Sequence, residues 1–138
     1  GTQANSRSDD PKITADGRYV AFTSDASNLV FGDTNGESDV FVHDRTLGTT
    51  SRASLHPGGL QIVDARCAAA AISDDGRYVA FVSLASNLVT GDTNNAEDVF
   101  VRDRQSGTTT RVSLATDGSV TVTPASRFVL QGGLEFLQ

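Results

Sequence analysis

The chain has few of the features typical of disulfide-bonded, membrane-spanning or nucleic-acid-binding proteins. Cys67 is its one cysteine among 138 residues, which excludes an intramolecular disulfide. No run approaches the roughly 18 apolar residues that cross a bilayer as a helix, and Gly1 to Asn5 lacks the basic-then-apolar pattern of a signal peptide. The formal net charge is −6, and the 11 Lys and Arg residues are scattered. We therefore expect the chain neither to bind nucleic acid nor to insert into a membrane.

Helical periodicity is also missing. No stretch places apolar residues at a spacing of about 3.6 residues over a useful length. The run Ala68–Ala71 is best interpreted as a strand of small residues at a place where sheets converge. The neighbouring Cys67 is then a small buried side chain rather than a reactive thiol. These absences leave an all-β fold class.

Repetition dominates what is present. Residues 13–55 are written a second time as residues 72–114, at a constant offset of 59 residues, and 30 of the 43 aligned positions are identical. A period of this size is typical of a supersecondary unit that cannot bury its apolar face alone. Copies of such a unit stack on one another, as in propellers, solenoids or arrays.

Each copy has the pattern of four short antiparallel strands. In the first copy, a turn at residues 15–18 contains Asp and Gly, which suit a tight hairpin. Residues 19–23 alternate and are rich in aromatic and β-branched side chains, as a strand should be. Residues 39–44 predict the next strand, and the more polar residues 50–55 predict a strand at a sheet edge.

A long segment separates the second and third strands of each copy. Residues 27–38 show no sustained period and are rich in turn formers. We expect an ordered loop, anchored under the sheet edge by Leu29 and Val30 in the first copy and by Leu88 and Val89 in the second.

Two strings carry a family resemblance. Residues 72–81 read ISDDGRYVAF, and residues 98–104 read DVFVRDR and are followed by Gly107, Thr108 and Thr109. The chain resembles the TolB-type, WD-like β-propeller repeat, in which the first string forms an inner hairpin and the second leads into the outer one. The resemblance implies a propeller blade for each copy and bacterial proteins that are secreted. It does not imply one particular activity.

We therefore predict an all-β fold of two four-stranded antiparallel propeller-like blades plus an incomplete third. Propellers usually close with about four to eight blades, so two leave apolar surface uncovered. The strands within residues 119–123 and 128–130 are expected to lack partners of their own. Because the sequence opens in mid-repeat, we expect it to begin after a processing site or to be cut from a longer precursor. The predicted divisions are a joining segment at 1–12, blades at 13–58 and 59–118, and an incomplete repeat at 119–138.

The long loops carry the candidate metal ligands. Alternate side-chain oxygens in a tight loop can point toward one ion, and hard cations such as calcium take six to eight oxygen ligands. The first loop offers four such residues and the second offers three, so calcium binding is expected to be weaker in the second. The candidate ligands are Asp33, Asn35, Glu37 and Asp39 in the first loop and Asp92, Asn94 and Asp98 in the second.

A structural role for the same residues stays open. Asp33 and Asp39 can make Asx-type bonds to loop amides, and Thr34 and Asn35 are ordinary turn formers. Asp44 falls at position 12 when Asp33 is counted as position 1, but an extended strand would carry its carboxylate about 16 Å away. It is therefore rejected as a ligand.

Several charged residues recur at fixed places in both copies. We interpret them as salt bridges that tie loops or blades together. The recurring residues are Arg18 and Arg77, Asp44 and Asp103, and Arg45 and Arg104. His43 and His56 do not recur, and no nucleophile elbow, phosphate-binding glycine loop or His/Cys metal set is recognisable. The sequence thus predicts a protein that is not an enzyme.

Two functions are consistent with these features. The first is an extracellular or periplasmic structural module that self-associates, as an oligomer or filament, by adding strands of one copy to the sheet of the next. Calcium in the long loops would stiffen it. The alternative is a ligand- or protein-binding fragment of a larger TolB-like propeller.

Overall fold

The computed structural model describes residues 1–63, 65–115, 120–122, 127–130 and 134–137, the last three segments as backbone strands only. It contains strands and connecting loops, and in the described ranges there is no helix. Accordingly, none of these residues forms a helix with the length and apolar character of a membrane span. The strands are β1 (Ser8–Ile13), β2 (Tyr19–Ser24), β3 (Asp39–Asp44), β4 (Thr49–Arg52), β5 (Cys67–Ile72), β6 (Tyr78–Ser83), β7 (Asp98–Asp103), β8 (Thr108–Arg111), β9 (Val120–Val122), β10 (Arg127–Leu130) and β11 (Leu134–Leu137).

The strands form three antiparallel sheets. The first sheet is β1-β2-β3-β4 and the second is β5-β6-β7-β8, each in chain order. The predicted all-β class with two four-stranded antiparallel sheets is confirmed. Residues 68–71 lie in β5, as the interpretation of the alanine run required, and β4 is an edge strand.

The third sheet corrects one expectation. β10 pairs with β9 through Phe128 and Val122, and with β11 through Phe128 and Phe136. The expectation that the strands within 119–123 and 128–130 lack partners is therefore wrong. The pattern decays too far in this segment for the pairing with Leu134–Leu137 to be predicted from the repeat. Residues 116–119, 123–126, 131–133 and 138, to which part of the incomplete repeat was assigned, lie outside the described residues.

The hairpin turns form as their Asp and Gly residues dictate. The Asp16 carboxylate accepts a hydrogen bond from the Arg18 amide at 2.9 Å, and Gly17 has φ +71°. In the second copy, the Asp75 carboxylate accepts a hydrogen bond from the Arg77 amide at 3.0 Å, and Gly76 has the same φ as Gly17. A positive φ is strained for residues with a Cβ atom, which is why glycine occupies both positions.

The core lies between the first and second sheets. One face of the first sheet contributes small and β-branched side chains, and the facing side of the second sheet contributes the large aromatic ones. We call these two surfaces the inner faces. The buried cluster includes Ala21, Val40, Val42 and Ala53 from the first sheet and Cys67, Ala70, Val79, Phe81 and Phe100 from the second. Strand β5 packs against β1, β2 and β3, so the first strand of the second sheet forms the seam.

Apolar side chains fix the second long loop to the core. Leu88 is fully buried and Val89 packs on the core cluster, which confirms the predicted anchoring of this loop. Leu29 and Val30 are half-buried, and the anchoring of the first loop stays a prediction. Ala26 and Ala85, which follow β2 and β6 closely, are also buried. The loops thus start from a fixed point on each sheet.

Candidate functional site

The first long loop directs two of its predicted ligands at an arginine. Asp33 lies in the loop, Asp39 begins β3, and Arg52 ends β4, where it pairs with Phe41 of β3. Arg52 Nη2 lies 3.3 Å from Asp33 Oδ1, and Arg52 Nε lies 3.5 Å from Asp39 Oδ2. The Arg52 side chain is only 5% exposed. Two carboxylates therefore share one guanidinium in a site shielded from water.

Neutral donors complete the environment of Asp39. Ser54 Oγ donates to Asp39 Oδ1 at 2.6 Å and itself accepts a bond from the Val40 amide at 3.0 Å. Asn35 Nδ2 donates to Asp39 Oδ2 at 3.3 Å. Burial nevertheless raises the pKa of Asp39, against the opposing effects of Ser54 and Arg52. Desolvation penalises the charged form of a carboxyl group, so this acid depends on its partners to remain ionised.

The second loop repeats the arrangement with a more accessible arginine. Arg111 Nη1 lies 3.2 Å from Asp92 Oδ1 and 3.4 Å from Asp98 Oδ2, and its side chain is 20% exposed. Ser113 Oγ donates to Asp98 Oδ1 at 2.5 Å, and Asn94 Nδ2 donates to Asp98 Oδ2 at 3.0 Å. The hydrogen bond from Ser113, followed by that from Asn94, lowers the pKa of Asp98 despite partial desolvation.

The other predicted ligands shape the turns. Asn35 Oδ1 accepts from the Glu37 amide at 3.1 Å, and Asn94 Oδ1 accepts from the Ala96 amide at 2.9 Å. Both are Asx turns, which mimic a backbone turn. Glu37 does not join the arginine cluster and instead lines a polar cavity between the two sheets, near Asp25 and Arg66.

The geometry favours the structural role of these residues over metal binding. In the described part of the chain, no group of three or more His, Cys, Asp or Glu side chains is arranged to hold a metal ion. The Asp33, Asp39, Asp92 and Asp98 carboxylates contact guanidinium groups. Calcium would have to compete with arginine for them, and calcium binding by these loops stays a prediction.

Sequence reasoning missed the centre of each cluster. Arg52 and Arg111 recur at the 59-residue offset, as do Ser54 and Ser113, and that recurrence was the available signal. Their contact with the loop acids cannot be predicted from the sequence pattern, because it depends on the pairing of β3 with β4 and of β7 with β8. Only that pairing brings residues 19 positions apart into contact.

Four of the six recurring charged residues form salt bridges within their own sheet: Arg18 with Asp44, and Arg77 with Asp103. The expectation is wrong for Arg45 and Arg104, which donate to the backbone carbonyls of Gly17 and Gly76 instead. Arg18 Nε and Nη2 donate to the two carboxylate oxygens of Asp44 at 3.2 and 2.9 Å. Arg77 binds Asp103 in the same way, at 3.0 and 2.7 Å. The arginine hydrogen bonds are the main reason that the pKa values of Asp44 and Asp103 are lowered. These bidentate pairs join the hairpin turn to the end of the third strand of each sheet.

Between the sheets, Tyr19 of the first sheet contacts Gly76 and Arg104 of the second. Its ring lies directly on Gly76, and the Arg104 guanidinium carbon lies 5.2 Å from the ring centroid. Arg104 Nη1 donates to the Gly76 carbonyl at 2.5 Å. The Arg18 guanidinium also covers the ring, at 4.7 Å. A tyrosine of one sheet thus packs into a glycine–arginine site on the next.

The histidines and the cysteine have local roles. His43 Nδ1 lies 2.9 Å from Thr50 Oγ1 across the β3–β4 pair, and His56 Nδ1 accepts from the Gly58 amide at 3.1 Å. Cys67 is free and buried, and burial raises the pKa of its thiol to about 12. The interpretation of Cys67 as a buried apolar residue is confirmed.

Comparison with known proteins finds a likeness among solved structures. No family model matches the chain, and no curated protein matches it. Among solved structures, the chain is similar to TolB from Acinetobacter baumannii, with a TM-score of 0.47 and 18% sequence identity. The match covers 96% of this chain and 28% of the TolB chain, so the chain spans less than a third of that protein's length.

Proposed function

We propose that the chain is a non-enzymatic structural and interaction module that self-associates through its propeller-like sheets. The observation that supports this is the apolar character of the second sheet's outer face. Large apolar side chains there are 38% to 50% exposed: Tyr78, Val99 and Val112. An exposed patch of this kind is typical of a protein–protein contact, whereas single exposed apolar residues are not informative.

Self-association is tested by sedimentation velocity on the full chain, from about 1 µM to several hundred µM. The expected result is a sedimentation coefficient that rises with concentration, because the association buries apolar surface. A single monomeric species over the whole range would refute the proposal. Running the series with calcium and with chelator separates the metal question from the association itself.

Calcium stabilisation of the loops is proposed only as an accessory to this function, on the strength of the loop spacing. The wild-type chain is expected to have a higher melting temperature with calcium than with chelator. This difference should be smaller in an Asp33→Asn variant. The arginine-centred geometry sets the competing expectation, namely that calcium and chelator give the same melting temperature. Thermal unfolding of the wild-type chain decides between them.

A second candidate is a ligand- or protein-binding part of a larger TolB-like propeller. The same exposed face favours it, because a further sheet of a longer chain would cover that face. A reading frame that encodes more copies of the repeat supports this candidate. For both candidates we propose an extracellular or periplasmic location, which is supported by the resemblance of the repeat to those of secreted bacterial proteins.

A further inference from the structure

The contact between the two sheets shows how one copy of the repeat receives another. The first sheet presents the Tyr19 ring and a set of small and β-branched side chains. The second sheet receives them with Gly76, Arg104 and an aromatic surface formed by Phe81 and Phe100. The faces differ, so this stacking is directional: one face donates the tyrosine and the other accepts it.

The outer face of the second sheet repeats the donating face. Val99 occupies the position of Val40, and it is 38% exposed where Val40 is 0% exposed. Val112 occupies the position of Ala53 and is 50% exposed, whereas Ala53 is 0% exposed. Tyr78 occupies the position of Tyr19 and is 41% exposed, and Arg77 covers its ring at 4.9 Å, as Arg18 covers Tyr19.

The outer face of the first sheet repeats the glycine and arginine of the accepting face, whereas Phe41, the counterpart of Phe100, is already fully buried within the chain. Gly17 has the same φ as Gly76, and Arg45 Nη1 donates to the Gly17 carbonyl at 2.7 Å, as Arg104 does to Gly76. A Cβ atom built on Gly17 would meet no atom nearer than Arg45 Nη1, at 3.4 Å. Ile13 lies beside this position and is 60% exposed, whereas its counterpart Ile72 packs on the core cluster.

We propose that a second copy of this chain docks head to tail, with Tyr78 of one copy on Gly17 of the next and beneath its Arg45. The proposal rests on the proposed function and specifies its surface: sheet faces rather than sheet edges. It continues an interface that already exists within the chain, since the hairpin-turn and third-strand positions of both surfaces repeat those of the internal pair. The first strand does not, because β1 (SDDPKI) takes the place of the alanine-rich β5 (CAAAAI). Because the two surfaces differ, the contact is heterologous and produces a closed ring or a filament.

Further departures from the internal contact limit its strength. Arg102 Nη1 donates to the carbonyl of His56, in the segment that joins the two sheets, at 3.3 Å, but a docking copy presents His43 in place of Arg102. The Ala15 amide donates to Asp74 Oδ1 across the internal interface at 3.4 Å, but the residue that a docking copy presents in place of Asp74 is Ala15. Val112 is also larger than the Ala53 that it replaces. The contact between copies is therefore weaker than the internal one. Arg45 over the Tyr78 ring contributes a cation–π contact of the kind that Arg104 makes with Tyr19 within the chain.

The test uses two full-length variants, each with one blocked face. Val99→Asp places a charge on the donating face, and Ile13→Asp places one on the accepting face. Each alone is expected to weaken association at least about 100-fold, because docking would bury an unpaired carboxylate. An equimolar mixture is expected to form a one-to-one dimer and nothing larger, through the two unblocked faces. Multi-angle light scattering after size exclusion measures the masses.

The controls separate failure of the docking mode from failure of self-association. Phe31→Asp adds the same charge at a fully exposed loop residue and should associate as the wild type does. Tyr78→Ala, a milder change on the donating face, should also be weakened, and circular dichroism checks the fold of every variant. If both blocked variants associate as the wild type does, the proposed docking mode is overturned but self-association is not. A wild type that stays monomeric would overturn self-association as well.

Discussion

Substituting alanine at two equivalent glycines should have unequal effects, because only one of them is covered by the neighbouring sheet. Gly17 and Gly76 have the same φ of +71° and the same position in their turns. A Cβ atom on Gly76 would lie 2.8 Å from Tyr19 Cγ, and Cδ2 and Cε2 would be nearer still. On Gly17 the nearest atom, Arg45 Nη1, would be at an ordinary 3.4 Å. Gly17→Ala is thus a matched control for Gly76→Ala.

The expected magnitudes follow from these distances. Both variants incur the cost of a left-handed conformation in a residue with a Cβ atom, about 1 to 2 kcal/mol. Gly76→Ala adds the cost of overpacking against a ring that two guanidinium groups also contact, typically about 1 to 3 kcal/mol. The free energy of unfolding should therefore fall by about 1 to 2 kcal/mol in Gly17→Ala and by about 2 to 5 kcal/mol in Gly76→Ala.

Urea unfolding at a concentration where the chain is monomeric measures both values. A double-mutant cycle with Tyr19→Ala makes the test specific, because removing the ring should relieve most of the additional cost at Gly76 and none at Gly17. Equal destabilisation at the two glycines, or no coupling of Gly76 to Tyr19, would show that the sheets do not stack as described.

Three further predictions concern the charged and titratable groups. Arg52→Ala leaves buried carboxylates without their cation and should lower the free energy of unfolding by about 3 to 5 kcal/mol. Arg111→Ala should lower it clearly less, because Arg111 is more exposed. Equal losses of unfolding free energy in urea titrations would contradict this. Because Arg77 lowers the pKa of Asp103 below 3.8, the stabilisation from this pair is complete above that value and is lost as the pH falls through the lowered pKa. Asp103→Asn should therefore flatten the acid side of the stability profile, and an unchanged profile would exclude the pair as its cause. With its pKa near 12, Cys67 should react with dithionitrobenzoate only on unfolding in urea, whereas fast stoichiometric labelling of the native chain would show that the thiol is accessible.

The repeat made most of the fold predictable. Alternation and turn residues place four strands in each copy, since a hairpin with Asp and Gly at its turn has few alternatives. The structure adds details that no local pattern encodes. Ala69, for example, has φ +55° where the pairing of β5 with β6 shifts register. An alanine run gives no signal of such an irregularity.

The candidate sites were predictable only in part. The loop acids were found from their spacing, but spacing alone does not distinguish a metal ion from a guanidinium as their partner. Arg52 comes from a strand 19 residues beyond Asp33, so its role depends on hairpin register. The Tyr19–Gly76 contact depends on how two sheets stack, which is a tertiary property. Recurrence at 59 residues marked all of these positions without assigning them partners.

The central claim is that the outer faces of the chain repeat its inner faces and therefore bind each other. An experimental structure of the associated species, by crystallography or electron microscopy, tests it most directly. We predict that the Tyr78 ring of one chain lies on Gly17 of the next, with the Arg45 guanidinium above the ring. An assembly in which Tyr78 and Val99 face solvent, with the chains joined through other surfaces, would contradict the claim.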